Sequence, residues 1–361
     1  MSTDLKRSAL IMAAGTGGHI MPGLAIAQQL SGLGWHVEWL GTAHGMENQL
    51  VPAQGIALHR LSFKGLRGKG VWGSVKGVFQ GTTALLSSVQ IMRKLKPSVV
   101  VGMGGYICLP GAWAARLCGV PVILVNADAD LLLSNKSLAS IAKTVCCGFE
   151  GSAMRLGNAV LTGNPVRAEI VAMQPYSQRR SAQGAEALSV LVMGGSLGAQ
   201  AINALLPQAI AAIPLAQRPK ITHQAGAANA ASLTAAYQQA GVAARVVPFI
   251  NDVAHALSEA DVVIARAGAI TCSELAVAGM PSLLIPFVAS TTAHQTGNAA
   301  FFASAGAAIH LPQASLTAAQ LTAAIQGLNA TQLAHMSTAA YTLAQPQATT
   351  AVVQQILKAV S

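Results

Sequence analysis

His19 stands directly after a glycine-rich loop, residues 15–18, which follows the apolar run ALIMAA. Glycines let the backbone approach a ligand closely, and the free amides at the start of the following helix attract an anion or another electron-rich oxygen. An imidazole placed there can remove a proton from a substrate hydroxyl. We therefore take His19 as the candidate catalytic base; the alternative is that it is a structural histidine.

Dinucleotide dehydrogenases and P-loop nucleotidases also carry a glycine-rich loop after a strand. Ile20 occupies the place of the third glycine in a GxGxxG motif, and the second predicted strand ends in Gly41 and Thr42, with no acid to bind a ribose 2′-hydroxyl. No GK[ST] follows any of the glycine-rich loops, so a P-loop is absent as well. The sequence argues against a dinucleotide dehydrogenase and against a P-loop nucleotidase.

A second candidate site lies in the segment 266–274, RAGAITCSE, which follows the apolar run DVVIA. The amides at the start of a helix here suit a diphosphate. Glu274 then has two interpretations: it binds the two hydroxyls of a ribose, or it forms a capping box with Thr271. Further along, His294 and Gln295 begin another predicted helix, where they either bind sugar hydroxyls or simply start the helix.

Two other groups of residues could do chemistry, and we assign them structural roles. Asp128 and Asp130 form a DxD pair of the kind that chelates a divalent cation, but they lie far in sequence from the loops that best suit a diphosphate, so we expect no metal. The five cysteines show no CxxC spacing and mostly lie in apolar segments, which predicts reduced, buried, cytosolic thiols. For Cys272 we favour packing over nucleophilic catalysis.

The segment 63–95 combines basic and apolar residues. The chain carries a net charge of +10, yet no acid occurs between Glu47 and Asp128. The apolar residues of the segment share one face of a predicted helix. The alternative to a functional face is an ordinary core stripe under solvated lysines, and nucleic acid is not expected because aromatic residues are only 4%. We favour docking on an anionic membrane surface, through Lys69, Val71, Trp72, Val75, Lys76 and Phe79.

Short apolar runs alternate with longer helical patterns along the whole chain, which predicts an α/β fold with doubly wound parallel sheets. At 361 residues the chain exceeds what one hydrophobic core usually supports. We expect two domains, 1–164 and 165–345, a hinge at Asn164 and Pro165, and a C-terminal helix, 346–361, that packs back on the first domain. Strands are predicted at 8–13, 36–40, 58–61, 98–103, 120–125, 144–147, 188–193, 220–223, 245–247, 261–265, 282–285 and 307–311.

A transmembrane helix and secretion are both unexpected. The most apolar stretch, 98–125, contains several glycines, two prolines and Arg116, so no run approaches the roughly 20 apolar residues that a bilayer requires. The N-terminus leads straight into the first predicted strand and shows no apolar signal region with a cleavage site.

Seven motifs occur in order along nearly the whole chain: GTGGH at 15–19, GMGGY at 102–106, GNPVR at 163–167, GGSLGA at 194–199, HQAG at 223–226, RAGAITCSELAVAG at 266–279 and HQTGNA at 294–299. This set resembles the MurG family of bacterial N-acetylglucosaminyltransferases, in glycosyltransferase family 28, which convert lipid I to lipid II in peptidoglycan synthesis. The resemblance implies a GT-B fold, in which two Rossmann-like domains face each other across a cleft, and transfer without a metal or other cofactor.

The resemblance also implies roles for individual residues. The second domain would bind UDP-N-acetylglucosamine, with Glu274 on the ribose, Ile250 on the uracil and Gln295 on the sugar hydroxyls. The first domain would bind lipid I, with His19 as the base for the attacking 4-hydroxyl of N-acetylmuramic acid, and inversion would give a β-1,4 bond. Thr16, Gly17 and Gly18 would face the acceptor and the transferred sugar. The residues implied to contact the donor are Thr16, Gly17, Gly18, Asp128, Arg167, Ser196, Ile250, Ala269, Ile270, Thr271, Cys272, Ser273, Glu274 and Gln295.

A family member of this kind would lie on the cytoplasmic face of the bacterial inner membrane as a peripheral protein. Its partners would be the UDP donor, lipid I and the anionic membrane surface, with other cell-wall synthesis proteins as further candidates and no nucleic acid.

The chain departs from the family pattern in two places. Where the family usually carries HEQN, this chain has Val125, Asn126, Ala127 and Asp128; where two acids often precede His294, it has Thr292 and Ala293. The first departure leaves two alternatives open. One is a nucleotide-sugar-binding homologue with impaired turnover, and the other is a GT-B transferase that acts on a different lipid acceptor.

Overall fold

The computed structural model describes residues 7–15, 17–62, 71–180, 187–195, 198–287 and 294–361, without the side chains of residues 71–79 and 180. Thr16, Ser196 and Lys69 lie outside these ranges, so their predicted roles stay predictions. The same holds for the predicted membrane contacts of five side chains on one helix, those of Val71, Trp72, Val75, Lys76 and Phe79.

The chain divides into two compact units. The N-terminal unit comprises residues 1–166 together with 346–361, and the C-terminal unit comprises residues 167–345. Each unit contains one parallel sheet with helices connecting its strands.

In the described residues the strands of the two sheets follow one another along the chain. Those of the N-terminal unit are β1 Ser8–Met12, β2 His36–Thr42, β3 Ala57–Leu61, β4 Val99–Gly102, β5 Val122–Asn126, β6 Thr144–Cys147 and β7 Ala159–Leu161. Those of the C-terminal unit are β8 Ser189–Met193, β9 Lys220–Gln224, β10 Arg245–Val247, β11 Val262–Ala265, β12 Ser282–Leu284 and β13 Ala308–His310. The predicted strands are confirmed to within two residues at each end. β7 was not predicted, because three half-buried residues give too short a pattern.

The helices of the described residues connect these strands, except that the last three follow the final strand. They are α1 Gly17–Gly32, α2 Glu47–Leu50, α3 Val71–Leu95, α4 Cys108–Leu117, α5 Leu133–Leu138, α6 Ala168–Val171, α7 Tyr176–Arg180, α8 Gln200–Ala211, α9 Ala230–Gln239, α10 Val253–Ser258, α11 Ala269–Val277, α12 His294–Ser304, α13 Ala318–Gln326, α14 Ala330–Thr342 and α15 Ala348–Val360. None of them is long and apolar enough to cross a membrane.

Both sheets place their glycine-rich loops at a reversal of strand order. The N-terminal sheet has the order β3-β2-β1-β4-β5-β6-β7, and the C-terminal sheet has β10-β9-β8-β11-β12-β13. The chain runs outward from β1 and then returns to the other side of it at β4, and it does the same at β8 and β11. Ligands of open α/β sheets bind beyond the carboxyl ends of the strands at such a reversal.

The central strands are buried on both faces because helices cover the sheet on each side. All four residues of β4 and all five of β5 are buried, as are the four of β11. In the N-terminal sheet, Met12 at the end of β1 pairs with Gly102 at the end of β4. In the C-terminal sheet, Met193 pairs with Ala265 in the same way. The two loops that follow each such pair therefore emerge side by side.

The last helix, α15, belongs to the N-terminal unit, although its sequence follows the C-terminal unit. Val352, Val353 and Ile356 are buried in the core that also contains residues of β1, β2 and α1. Burying each of these side chains stabilises the unit by about 1.5–3 kcal/mol. Lys143 Nζ donates to the carbonyl oxygen of Ala359 at 2.9 Å, which places a cation at the negative end of the helix.

Candidate active site

His19 lies in the first turn of α1 and its ring faces the loop after β4. A methyl group placed on Gly104 would come within 3.0 Å of His19 Cε1 and 3.2 Å of Leu132 Cδ1, and one on Gly105 would lie 4.0 Å from His19 Cδ2. Gly104 and Gly105 have φ angles of +100° and +80°, which favour glycine. The GTGGH and GMGGY motifs therefore form one site, in which the imidazole packs on glycine backbone.

The loop between β5 and α5 ends at Leu132, and the side chain of Asn126 forms hydrogen bonds to several of its backbone groups. Its Nδ2 donates to the carbonyls of Asp128 at 2.8 Å and Asp130 at 3.1 Å, and its Oδ1 accepts from the amide of Leu132 at 3.0 Å and from Nδ2 of Asn135 at 3.2 Å. Asn126 is fully buried. The side chain in the place of the family's glutamate thus holds the loop together and does not face solvent.

The DxD pair lies within this loop. Asp128 is half-buried and Asp130 is exposed. Across the described residues no group of three or more His, Cys, Asp or Glu side chains is arranged to hold a metal ion.

In the C-terminal unit, helix α11 begins at Ala269, with Gly268 as its N-cap and no side-chain cap bond. Thr271 is thus the third residue of the helix and Glu274 lies in the second turn, so the capping-box interpretation is wrong. Ser273 Oγ instead donates to the carbonyl of Ala269 at 2.9 Å. The first amides of an α-helix have no intrahelical acceptor, so those at 269–271 are available to a ligand.

Glu274 is 5% exposed and pairs with Arg167. Arg167 Nε donates to Oε1 at 2.7 Å and Nη2 donates to Oε2 at 2.8 Å. Burial lowers the pKa of Arg167, but the hydrogen bond and charge of Glu274, together with the charge of Glu169, outweigh it and leave that pKa raised. Since each carboxylate oxygen carries two lone pairs, Glu274 can accept ribose hydroxyls while the fork holds it in place.

Gly198, in the glycine-rich segment after β8, packs closely on its neighbours. A Cβ on Gly198 would lie 2.0 Å from the carbonyl oxygen of Ala225, so no larger residue fits. Behind this contact, the buried ring of His223 bonds Tyr237 Oη at 2.9 Å and Asn203 Oδ1 at 3.1 Å. Burial lowers the pKa of His223 to about 3, so it is a neutral structural group of the HQAG motif.

Gln295 lies in the first turn of α12, which begins at His294 as predicted. Its Oε1 accepts from the amide of Phe287 at 2.8 Å, tying the helix to the segment after β12. Beside it, the Arg266 guanidinium lies 5.4 Å from the centre of the Phe287 ring and donates to the carbonyl of Ile285 at 3.0 Å. Asn298 Nδ2 donates to the carbonyl of Ala267 at 2.9 Å, which fixes α12 against the start of α11.

Ile250 follows β10 and is buried at the edge of a cavity of about 570 Å³. The cavity is bounded by the exposed ring of Phe249, by Asp252 and His255 at the start of α10, and by the basic side chain of Arg245. Its lining also includes Ser189, Lys220 and Arg245, the first residues of β8, β9 and β10, so the cavity extends to the amino ends of these strands.

The cysteines do not form a reactive centre. All five are free, and Cys272 is fully buried within α11. Burial raises the pKa of Cys108 and Cys146 to about 12 and that of Cys147 to about 11, so these three stay protonated thiols at neutral pH. This agrees with a packing role, but Cys118 is half-buried, so the prediction of burial is wrong for that one cysteine.

Two regions of the chain match models of a known family. Residues 9–147 match the glycosyltransferase family 28 N-terminal domain, and residues 189–355 match the glycosyltransferase family 28 C-terminal domain. The chain belongs to glycosyltransferase family 28. Its two parallel-sheet units are those of the family's GT-B fold, and this family 28 member is a glycosyltransferase.

Curated relatives of this family 28 chain match it over nearly its whole length. The UDP-N-acetylglucosamine-N-acetylmuramyl-(pentapeptide) pyrophosphoryl-undecaprenol N-acetylglucosamine transferase of Chromobacterium violaceum is 52% identical, covering 94% of this chain and 95% of its own. The protein of the same name from Herminiimonas arsenicoxydans is also 52% identical, covering 97% and 98%. The crystal structure of Acinetobacter baumannii MurG superposes with a TM-score of 0.84 at 37% identity, covering 98% and 99% of the two chains.

Sequence reasoning missed several features of this family 28 structure. Arg167 and Glu274 were each singled out, but their pairing was not, because 107 residues separate them. Glu47 begins α2 and Asn126 ends β5, and the sequence gives no signal that these two polar side chains are buried. Trp113 on α4 is 45% exposed, which departs from the core position expected of tryptophan in an apolar helix.

Proposed function

We propose that this chain transfers N-acetylglucosamine from UDP-N-acetylglucosamine to the 4-hydroxyl of N-acetylmuramic acid in lipid I, which makes lipid II. The observation that carries the proposal is the anchored carboxylate of Glu274, one turn into α11, within the segment that matches the family 28 C-terminal domain. The full-length relatives at 52% identity bear names that state this donor and this acceptor.

The donor binds to the C-terminal unit in this proposal. Glu274 accepts the ribose hydroxyls, and the amides of Ala269, Ile270 and Thr271 receive the diphosphate at the positive end of α11. Uracil lies against Ile250, which follows the carboxyl end of β10, and Gln295 orients the sugar. As the glycosidic bond to the β-phosphate breaks, charge develops on the leaving UDP, and the α11 amides stabilise it without a metal ion.

The acceptor binds to the N-terminal unit in the same proposal. A ring nitrogen of His19 takes the proton of the 4-hydroxyl as that oxygen forms its bond to the anomeric carbon. The oxygen attacks from the face opposite the departing UDP, so the configuration at that carbon inverts. A Cβ on Gly104 would come within 3.0 Å of the His19 ring, so glycine at this position leaves space for the imidazole.

We also propose that the N-terminal unit docks on an anionic membrane, where a polyprenyl acceptor lies. Trp113, Arg116 and Leu117 are exposed at helical spacing on α4, at 45% for Trp113 and 68% for Leu117. Leu86, on the adjoining helix α3, is 59% exposed. Apolar side chains beside a cation suit the boundary between headgroups and acyl chains.

The activity is tested by incubating the purified chain with radiolabelled UDP-N-acetylglucosamine and a soluble lipid I analogue, with and without a chelator. We expect label in the acceptor and equal rates in both samples. UDP binding by calorimetry without any transfer would contradict the activity and favour the impaired homologue. Transfer only to a different polyprenyl acceptor would favour the second alternative, and loss with chelator would contradict metal-free transfer.

Membrane docking is tested by sedimentation with anionic phospholipid vesicles. We expect the double variant Trp113→Ser, Leu117→Ser to bind these vesicles at least several-fold more weakly. Leu215→Ser is the matched control, because Leu215 is 80% exposed but belongs to the C-terminal unit. Equal sedimentation of the double variant and the unaltered protein would contradict this part of the proposal.

A further inference from the structure

Glu47 is a carboxylate with no solvent exposure in the N-terminal unit. It is the first residue of the short helix α2, directly after the loop that follows β2. The described residues place no cation within ion-pair distance of it. Instead its two oxygens accept hydrogen bonds from the chain around the glycine-rich loop.

The bonds of Glu47 join two loops. Oε2 accepts from the amide of Gly15 at 3.1 Å, and Oε1 accepts from the amide of Thr42 at 3.0 Å and from Thr42 Oγ1 at 2.7 Å. In return, the amide of Met46 donates to the carbonyl of Gly15 at 3.2 Å. Both backbone polar groups of Gly15 are therefore bonded to the start of α2.

Two glycines make room for this carboxylate. A Cβ on Gly41 would lie 2.9 Å from Glu47 Cγ, and one on Gly45 would lie 2.2 Å from Oε2. The oxygen that a Cβ on Gly45 would approach, Oε2 of Glu47, is the one that accepts the hydrogen bond from the Gly15 amide. The absence of a Cβ at Gly41 and Gly45 thus leaves space for this buried, ionisable side chain next to the glycine-rich loop.

We propose that Glu47 is a positioning residue for transfer, which fixes the glycine-rich loop at Gly15 and through it the start of α1 and His19. Gly15 lies four residues before His19, and α1 begins at Gly17. A carboxylate can accept from all three donors at once, and such bonds are stronger than those between neutral groups. Glu47 contacts no substrate and acts only by holding the loop.

This inference rests on the proposed transfer reaction, in which His19 is the base. A shift of about 1 Å at a catalytic group lowers turnover by up to about 100-fold. Binding of the UDP part of the donor should be untouched, because the residues proposed to bind ribose, diphosphate and uracil lie in the C-terminal unit, while Thr16, Gly17 and Gly18 are implied to face the acceptor and the transferred sugar. The prediction is therefore a change in kcat without a change in KM for UDP-N-acetylglucosamine.

Two variants test it by different routes. Glu47→Gln replaces one accepting oxygen with an NH₂ group, which must then face the amide of Gly15 or the amide of Thr42. Gly45→Ala keeps the carboxylate but pushes Oε2 away from Gly15, and the flexible end of Glu47 can move to accommodate it.

Each test variant has a matched control. Glu38→Gln is the control for Glu47→Gln, since Glu38 bonds His36 and His59 on the same sheet. Gly45 has a φ of +156°, so alanine there also strains the backbone; Gly34→Ala is the control for Gly45→Ala, because Gly34 has a φ of +82° and a Cβ there meets open space.

Turnover is expressed per UDP-binding site, counted by calorimetry, so that unfolded protein does not contribute. We expect kcat to fall roughly 10- to 100-fold in both test variants, with KM for the donor within about twofold of the unaltered protein. The controls should keep kcat. An unchanged kcat per binding site in either test variant would overturn the positioning role, and Gly45→Ala decides the question if Glu47→Gln fails to fold.

Amide hydrogen exchange in the segment that contains Gly15 gives a readout that needs no turnover. We expect faster exchange in both test variants than in their controls, and equal exchange would overturn the inference. If the unaltered protein shows no transfer, the proposed function fails on that result alone. The exchange measurement then still decides whether Glu47 holds the loop.

Discussion

Arg167 holds Glu274 by a two-pronged fork, with donor-acceptor distances of 2.7 and 2.8 Å. Arg167 is the first residue of the C-terminal unit, and Glu274 lies 107 residues later in α11. The Glu274 side chain is 6% exposed and that of Arg167 is 33% exposed. The carboxylate proposed to bind ribose is therefore oriented before the donor arrives, which lowers the entropic cost of binding.

Arg167→Lys should weaken donor binding because one ammonium cannot reproduce the fork. We expect KM for UDP-N-acetylglucosamine to rise about 10-fold, and unfolding free energy to fall by about 1–3 kcal/mol, less than for a fully buried pair because Arg167 is partly exposed. Steady-state kinetics and urea denaturation measure the two. Arg218→Lys is the control, since Arg218 bonds the carbonyls of Ala211, Ile213 and Gly241 and forms no ion pair within the described residues. A KM equal to that of the control would contradict the anchoring role.

His19→Ala should remove the proposed base. We expect turnover to fall by about 10²- to 10⁴-fold, the usual contribution of general base catalysis, while calorimetry shows UDP affinity unchanged. His44→Ala is a suitable control, because His44 is exposed in the neighbouring loop after β2. A fall no larger than that of the control would exclude His19 as the base.

Asn126→Ala should destabilise the N-terminal unit. The change removes four hydrogen bonds at a fully buried position and leaves the amide of Leu132 and two carbonyls without their partner. We expect a loss of about 2–4 kcal/mol of unfolding free energy in urea. Asn158→Ala, which removes two bonds at a half-buried site, should lose less. Equal losses would show that the loop after β5 does not depend on Asn126.

His223 makes the stability of the C-terminal unit depend on pH. Burial lowers the pKa of His223 from 6.5 to about 3, so the unfolded chain binds a proton in this range while the folded one does not. Stability from this group is complete above pH 6.5 and is lost toward pH 3, by about 1.4 kcal/mol per pH unit. We expect His223→Gln to show a shallower fall of melting temperature below pH 6.5 than the unaltered protein.

The control for this measurement is His255→Gln, which changes an exposed histidine of the same unit. Its melting temperature should follow the pH dependence of the unaltered protein. If the two variants give the same curve, the buried pair of His223 with Tyr237 is not the source of the pH dependence.

The local sequence pattern predicted most strands of the fold and some residues of the candidate site. Apolar runs such as ALIMAA and DVVIA predicted central strands, because strands covered on both faces need continuous apolar sequence. Glycine after a strand predicted the loops at 15–18 and 194–198, because close backbone approach excludes a Cβ; the 2.0 Å contact at Gly198 is an instance. His19 and Glu274 followed from their places after such loops.

The sequence did not determine whether a polar side chain bonds a neighbour along the chain or a residue far away in sequence. Thr271 and Glu274 have capping-box spacing, but α11 begins two residues before Thr271, and Glu274 pairs with Arg167 instead. The burial of Glu47 and its bond to Gly15 depend on strands β1 and β2 lying side by side, which places residues 32 apart in contact. Spacing along a chain fixes which residues share a helix face; only the packed sheets determine which distant polar groups meet, because a buried charge or amide must find its partner wherever the fold brings one.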